Sequence, residues 1–330
     1  MQNHKHLVLF FILILFLPNN AKTQSESDTS IRYIHKEKIS AKAKFTSVIT
    51  KCFLPKNKTN KKLRRGNYTS KASAIPKHFF KEFWIDTLQI NNRNVYSISP
   101  KGKKTKKHVL YLHGGAYVNN IIKPQWEVVG IFVRKTRCTF IVPDYPLTPT
   151  YSHEDAFAML DALYLNLLIK VPSKDILLMG DSAGGGLALA LAQKQRNEGT
   201  PSSSQMILIS PWLDVTLSNP EIIEVEKKDP LLKAKNFALV SQFWSGKSTP
   251  DNYLVSPING PLEGLPKISI FTGTHDILYP DCQKFKTLME EKNISINYFE
   301  YPKMFHVWVF FTPIAESKVA IEQICKLILE

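Results

Sequence analysis

An α/β fold with a mostly parallel central sheet, covered by helices on both faces, is predicted by three features of this 330-residue chain. Strand-like runs alternate with helical stretches along most of its length. The runs are apolar throughout, as strands buried on both faces must be. A serine flanked by glycines lies between one such run and the helix that follows it.

The expected strands, in order, are Phe83–Ile85 and Val95–Ile98, then Val109–Leu112, Cys138–Val142, Ile176–Met179, Met206–Ile209, Ile268–Phe271 and Ile296–Phe299. Helical spacing of apolar residues fills Trp126–Arg134, Glu154–Ile169, Ala183–Arg196, Asp281–Lys292 and Pro313–Leu329. The polar stretch from Thr216 to Ser256 breaks this rhythm and reads as a helical cap insertion, about residues 216–256. Residues 79–330 form the expected α/β domain, and residues 22–78 a basic amino-terminal segment that shares in the cap. Ile31, Ile34, Lys38 and Ile39, with Phe45, Val48 and Ile49, have the spacing of one or two short helices.

Residues 1–21 differ from the rest. The apolar run Leu7–Leu17 follows a short basic start and precedes Pro18-Asn19-Asn20-Ala21. As a helix it would rise about 16 Å, roughly half a bilayer's hydrocarbon core, which fits a signal peptide or an amino-terminal anchor better than a full span. The expectation is a secreted or cell-surface protein. The net charge of +15 is concentrated early: Ile31–Lys107 holds 21 Lys/Arg against Glu37, Glu82 and Asp86, and the remainder is slightly acidic. Such a segment is a solvated surface or contacts an anionic membrane or cell surface. No nucleic-acid-binding module accompanies it, so nucleic acid is not an expected partner. Cys52, Cys138, Cys282 and Cys325 lack the clustered spacing of a zinc site. In an exported chain they could pair in three ways.

The chemistry centres on Gly180-Asp181-Ser182-Ala183-Gly184, a G-x-S-x-G sequence between an apolar strand and an Ala/Leu-rich helix. Small residues on either side let the chain turn sharply and project Ser182 at a helix amino terminus, where peptide N–H groups favour negative charge. A phosphate-binding turn is the bland alternative, but the lysine of a phosphate-cradling loop is missing. Upstream, His113-Gly114-Gly115-Ala116-Tyr117 also follows a strand. Its glycines permit close backbone approach, so Gly114 and Gly115, with Ala183, are the expected oxyanion donors. A serine hydroxyl needs a histidine base oriented by a carboxylate, in the chain order Ser, acid, His. Only His275 and His306 follow Ser182. The candidate acids after Ser182 are Asp214, Asp229, Asp251, Asp276 and Asp281, besides several glutamates; Asp276, after a strand and a Thr-Gly-Thr turn, is the chosen acid, with Asp281 as runner-up. His306, after the Tyr301-Pro302 turn, is the chosen base. Asp144, Asp181 and Asp214 read as supports for loops near the site. Tyr117, Phe243 and Trp244 are the expected pocket-lining aromatics, with packing in the core as the equal alternative.

These motifs resemble the hormone-sensitive-lipase-like group of α/β-hydrolases, which includes acetyl esterases and arylacetamide-deacetylase-like enzymes. Asp144-Tyr-Pro-Leu-Thr-Pro149, Ser210-Pro-Trp-Leu-Asp214 and Thr274-His-Asp-Ile-Leu278 extend the match over roughly Val109–Glu330. The resemblance implies cofactor-free, metal-free hydrolysis of short-acyl or aryl esters, with a small ester as the partner molecule. Ala116 stands where many members have a third glycine, a change expected to trim the pocket without abolishing the oxyanion hole. Amide, lactone or carbamate hydrolysis would use the same groups, and a non-catalytic ligand-binding relative would share the fold.

Overall fold

In chain order the elements are β1 (Arg32–Ile34), α1 (Ala41–Phe53), α2 (Phe79–Glu82), β2 (Phe83–Ile90), β3 (Arg93–Pro100), β4 (His108–Leu112), α3 (Lys123–Thr136), β5 (Thr139–Pro143) and α4 (His153–Leu168). They continue with β6 (Ile176–Asp181), α5 (Ala183–Glu198), β7 (Gln205–Ile209), α6 (Ile222–Glu226), α7 (Ala238–Ser245), β8 (Lys267–His275), α8 (Tyr279–Glu291), β9 (Ile296–Phe305) and α9 (Ala315–Leu329). This computed structural model describes residues 30–53, 63–64, 68 and 70–330. The leader expected at residues 1–21 lies outside them.

The described strands form one sheet in the order β1-β9-β8-β7-β6-β4-β5-β3-β2. Pairing is parallel from β1 to β5, while β3 runs antiparallel to both β5 and β2. Side chains alternate across it. Leu110, Leu178, Leu208 and Ile270 join one core with α4, α5 and α8, whereas Tyr111, Met179, Ile207 and Phe271 join a second with α3 and α9. Two covered faces explain why these strands lack a polar side.

Two local expectations are corrected, one at residues 31–39 and one in the tails of β8 and β9. The first short helix is instead β1, paired with β9 through Arg32↔Tyr298 to Ile34↔Glu300. The second is α1, whose Ser40 donates through both backbone N–H and Oγ to Glu316 while Oγ accepts from Ala43 N–H. Residues 31–53 therefore extend the sheet edge and pack beside α9. A later stretch does approach it: Ser70 Oγ accepts from Asn120 N–H, and Ser73 N–H donates to the Ile121 carbonyl.

The expected turns at Thr272–Thr274 and Tyr301–Pro302 are also absent. There β8 and β9 remain paired to His275↔Phe305, with an irregularity at Gly273–His275. Gly273 makes this close pairing feasible, since a Cβ there would lie 2.3 Å from the Met304 carbonyl oxygen. Finally, Cys138, Cys282 and Cys325 are buried free thiols and form no disulfide with one another. The side chain of Cys52 lies outside the description.

Candidate active site

The chain adds β5 on one side of β4 and then returns to place β6 on the other. Such a reversal opens a crevice at the carboxyl ends of the strands. Ser182 leaves β6 there with φ 52° and ψ −123° and opens α5. The backbone conformation is unfavourable for a residue with a Cβ, so its surroundings must hold it. Ser182 N–H donates to the Ile209 carbonyl at 2.9 Å, and its own carbonyl accepts from Trp212 N–H at 2.9 Å and Gly185 N–H at 3.0 Å. The helix presses close to the sheet: a Cβ on Gly184 would lie 2.0 Å from the Leu112 oxygen.

Strand register delivers the other two groups. His275 and Phe305 are partners in the parallel pair, so Asp276 and His306 leave adjacent strands side by side. His306 Nδ1 lies 2.8 Å from Asp276 Oδ2, and Nε2 lies 2.9 Å from Ser182 Oγ. Leu278 N–H donates to Asp276 Oδ1 at 3.0 Å, fixing the carboxylate. Burial disfavours a charged His306, but the Asp276 carboxylate, with smaller help from Asp229 and Asp181, raises its pKa above the ordinary value. Asp281 is elsewhere: it sits in the first turn of α8 and accepts from Asn219 Nδ2 at 3.0 Å. His275 is half-buried, with its pKa lowered by burial and by Lys228 and Lys303.

The loop after β4 corrects one expectation. Gly114 N–H already donates to Asp181 Oδ1 at 2.9 Å, so it offers no free donor. Asp181 also accepts from Tyr111 OH at 2.6 Å and from Gln125 Nε2 at 3.0 Å. These bonds hold the loop against the serine turn. The amides of Gly115, Ala116 and Ala183 have no protein acceptor among the described residues. Ala116 adopts φ 53°, and it lines the crevice with Gly115. At the departure from a third glycine the backbone N–H is thus uncommitted. Burial drops the His113 pKa to about 4, keeping the ring neutral beneath the loop while Tyr145 OH donates to its carbonyl at 2.6 Å. Further out, Asp144 accepts from Arg93 and Asn120, and Asp214 accepts from Thr216 N–H at 2.8 Å.

A cavity of about 380 Å³ opens above Ser182 and His306. Asn119, Asn120 and Gln125 lie along one side, and Leu231, Leu232, Lys233, Phe237 and Val240 of the cap insertion along another. Tyr117, Phe243 and Trp244 are not in its wall. Tyr117 stacks on Trp244 with ring centres 3.8 Å apart and on Trp212 at 5.5 Å, both buried, while Phe243 packs against the same core. Flat rings at the base of the cap gain more from stacking on one another than from facing the cavity. Among the described residues, no group of three or more His, Cys, Asp or Glu side chains is placed to hold a metal ion.

A family model for the alpha/beta hydrolase fold matches residues 109–310. The chain belongs to the α/β-hydrolase family. An esterase from Acinetobacter venetianus is 28% identical over 221 residues, which is 66% of this chain and 73% of the relative. An acetyl-hydrolase from Streptomyces hygroscopicus is 29% identical over 216 residues, 65% of this chain and 72% of the relative. A crystal structure of a candidate esterase from Staphylococcus aureus, 28% identical, overlays with a TM-score of 0.77 across 86% of this chain and 99% of that one. This α/β-hydrolase is an ester-hydrolysing enzyme.

Two buried side chains of this α/β-hydrolase had little signature in the sequence. Gln125, near the start of α3, bonds Asp181 and, through Oε1, accepts from Ile122 N–H at 2.9 Å. Asp229 reaches from the cap insertion to the loop holding Asp276. In the sequence it was one of several acids after the serine. Only the Asp-Pro pair preceding two leucines sets it apart, and that pattern by itself points to no chemistry.

Proposed function

We propose that this α/β-hydrolase cleaves short-acyl or aryl carboxylic esters through a serine acyl-enzyme. Neutral His306 accepts the Ser182 Oγ proton at Nε2 as the oxygen attacks the ester carbonyl carbon. The tetrahedral oxyanion is met by the N–H groups of Gly115, Ala116 and Ala183. Asp276 holds the Nδ1–H tautomer and stabilises the imidazolium. His306 then protonates the departing alkoxide, leaving an acyl ester on Ser182. A water molecule, deprotonated by His306, attacks that ester; the acid departs and the proton returns to Oγ. The observation that carries this reading is the continuous chain Oγ–Nε2–Nδ1–Oδ2, with separations of 2.9 and 2.8 Å. The cavity's 380 Å³ is at the small end of the range typical of ligand pockets, roughly 300–1,000 Å³, and favours compact acyl groups.

The test is turnover of p-nitrophenyl acetate and butyrate by the full chain and by Ser182→Ala, with fluorophosphonate labelling of both. We expect the substitution to remove labelling and lower kcat by about 10⁴-fold or more. Equal turnover by the two proteins refutes the reading.

We also infer that α1 rests on an anionic lipid surface. Phe45 and Val48 are 67% and 60% exposed, and Lys42, Lys44 and Lys51 share their helix, which has no acid.

A further inference from the structure

Asp229 belongs to the cap insertion, between α6 and α7, yet its carboxylate is fully buried against the loop after β8. Oδ2 accepts from Ile277 N–H at 2.9 Å. Oδ1 accepts from Leu231 N–H at 2.7 Å and Leu232 N–H at 2.9 Å. Ile277 and Leu278 follow Asp276 directly, and their amides are shared between two carboxylates: Asp229 takes the first and Asp276 the second. Leu231 and Leu232 in turn form part of the cavity wall. One side chain thereby joins that wall to the loop bearing the triad acid.

Only a carboxylate can satisfy this arrangement, because both of its oxygens must accept. An asparagine would aim its NH₂ at another donor on one side. The choice carries a burden: burial, and then the nearby Asp276, push the Asp229 pKa up to about 6. Two neighbouring anions in one buried pocket are costly unless a positive charge is to appear beside them. His306 is where that charge develops. The other groups around this cluster are Asp181 across the serine turn, the buried Cys282 thiol on α8, and Lys228 and His275 at the margin.

We propose that Asp229 is a positioning residue for the Asp276–His306 pair, fixing the acid's loop from the cap and adding its negative charge to the field on the imidazole. The seating of the cap and the readiness of the base are then one event. This rests on the serine-hydrolase reading above.

The experiment compares pH–rate profiles for p-nitrophenyl butyrate in the full chain, Asp229→Asn and Asp229→Glu. Parent turnover and fluorophosphonate labelling at Ser182 are measured first; without them the hydrolase reading itself fails. Given a working parent, Asp229→Asn should lower kcat by about 10–100-fold with little change in KM. Its acid limb should move to lower pH by roughly 0.5 unit, because the imidazolium loses a stabilising anion. Asp229→Glu, which restores the charge, should return the limb to the parent position. A folded Asp229→Asn whose only defect is a lower Tm, or whose acid limb does not move, overturns the proposal. If Asp229→Asn does not fold, Asp229→Ser removes the same charge and is judged by the same limb.

Discussion

His306 sets the pH at which the proposed relay works. It must be neutral to accept the Ser182 proton, so the rate rises with pH through the imidazole's own pKa. Asp276 holds that pKa above the ordinary value of 6.5, which places the acid limb of kcat/KM above 6.5. Asp276→Asn removes the charge and the tautomer control together. We expect kcat to fall by about 10⁴-fold and the residual activity to show its acid limb at lower pH. A stopped assay across pH 5–9 checks both; a limb that stays in place shows that Asp276 does not govern the base. That Ser182, Asp276 and His306 would meet was legible because chain order leaves few candidates. The donors were less so. Which amides of the His113–Ala116 loop stay free depends on Asp181, whose bond to Gly114 N–H joins residues 67 positions apart.

At the scale of elements, each site group depends on a close approach that glycine permits. The turn from β6 into α5 is the clearest case, since a Cβ on Gly184 would meet the Leu112 oxygen at 2.0 Å and that on Gly180 the Gly184 oxygen at 2.2 Å. Both contacts are with backbone, which cannot swing aside. Gly184→Ala should cost roughly 1–3 kcal/mol or more, seen as a lower midpoint in urea unfolding, with activity lost as the serine turn shifts. Unchanged stability would mean that the turn is looser than these contacts require. The apolar strands of the parallel sheet were readable because burial on both faces leaves an uninterrupted signature. The short strand β1 was not, because three residues carry no periodicity and its partner β9 lies far along the chain. The tails of β8 and β9 were misread for a related reason. Gly273 and Pro302 are turn formers in isolation, and only the pairing of two strands keeps them extended. Tyr117, Phe243 and Trp244 show the same limit, since an aromatic near a site suits a stack as well as a pocket wall.

On the scale of the whole molecule, the charge has a direction. Twenty-one of the 43 Lys/Arg fall within Ile31–Lys107, ahead of a slightly acidic remainder. Within that region α1 exposes Phe45, Val48 and Ile49, with no acid along the helix to repel a phosphate headgroup. An apolar stripe flanked by lysines suits the boundary between headgroups and acyl chains, where each nearby basic residue contributes about 1 kcal/mol. The full chain should therefore sediment with vesicles containing phosphatidylglycerol more strongly than with purely zwitterionic ones, and raised salt should weaken the difference as charges are screened. Phe45→Glu with Val48→Glu should reduce the binding while leaving turnover of p-nitrophenyl butyrate intact, since neither residue lines the cavity. If the double variant binds as the parent does, the contact lies elsewhere in the chain. If salt has no effect, the attraction is not electrostatic and the concentration of lysines in this segment serves solvation alone.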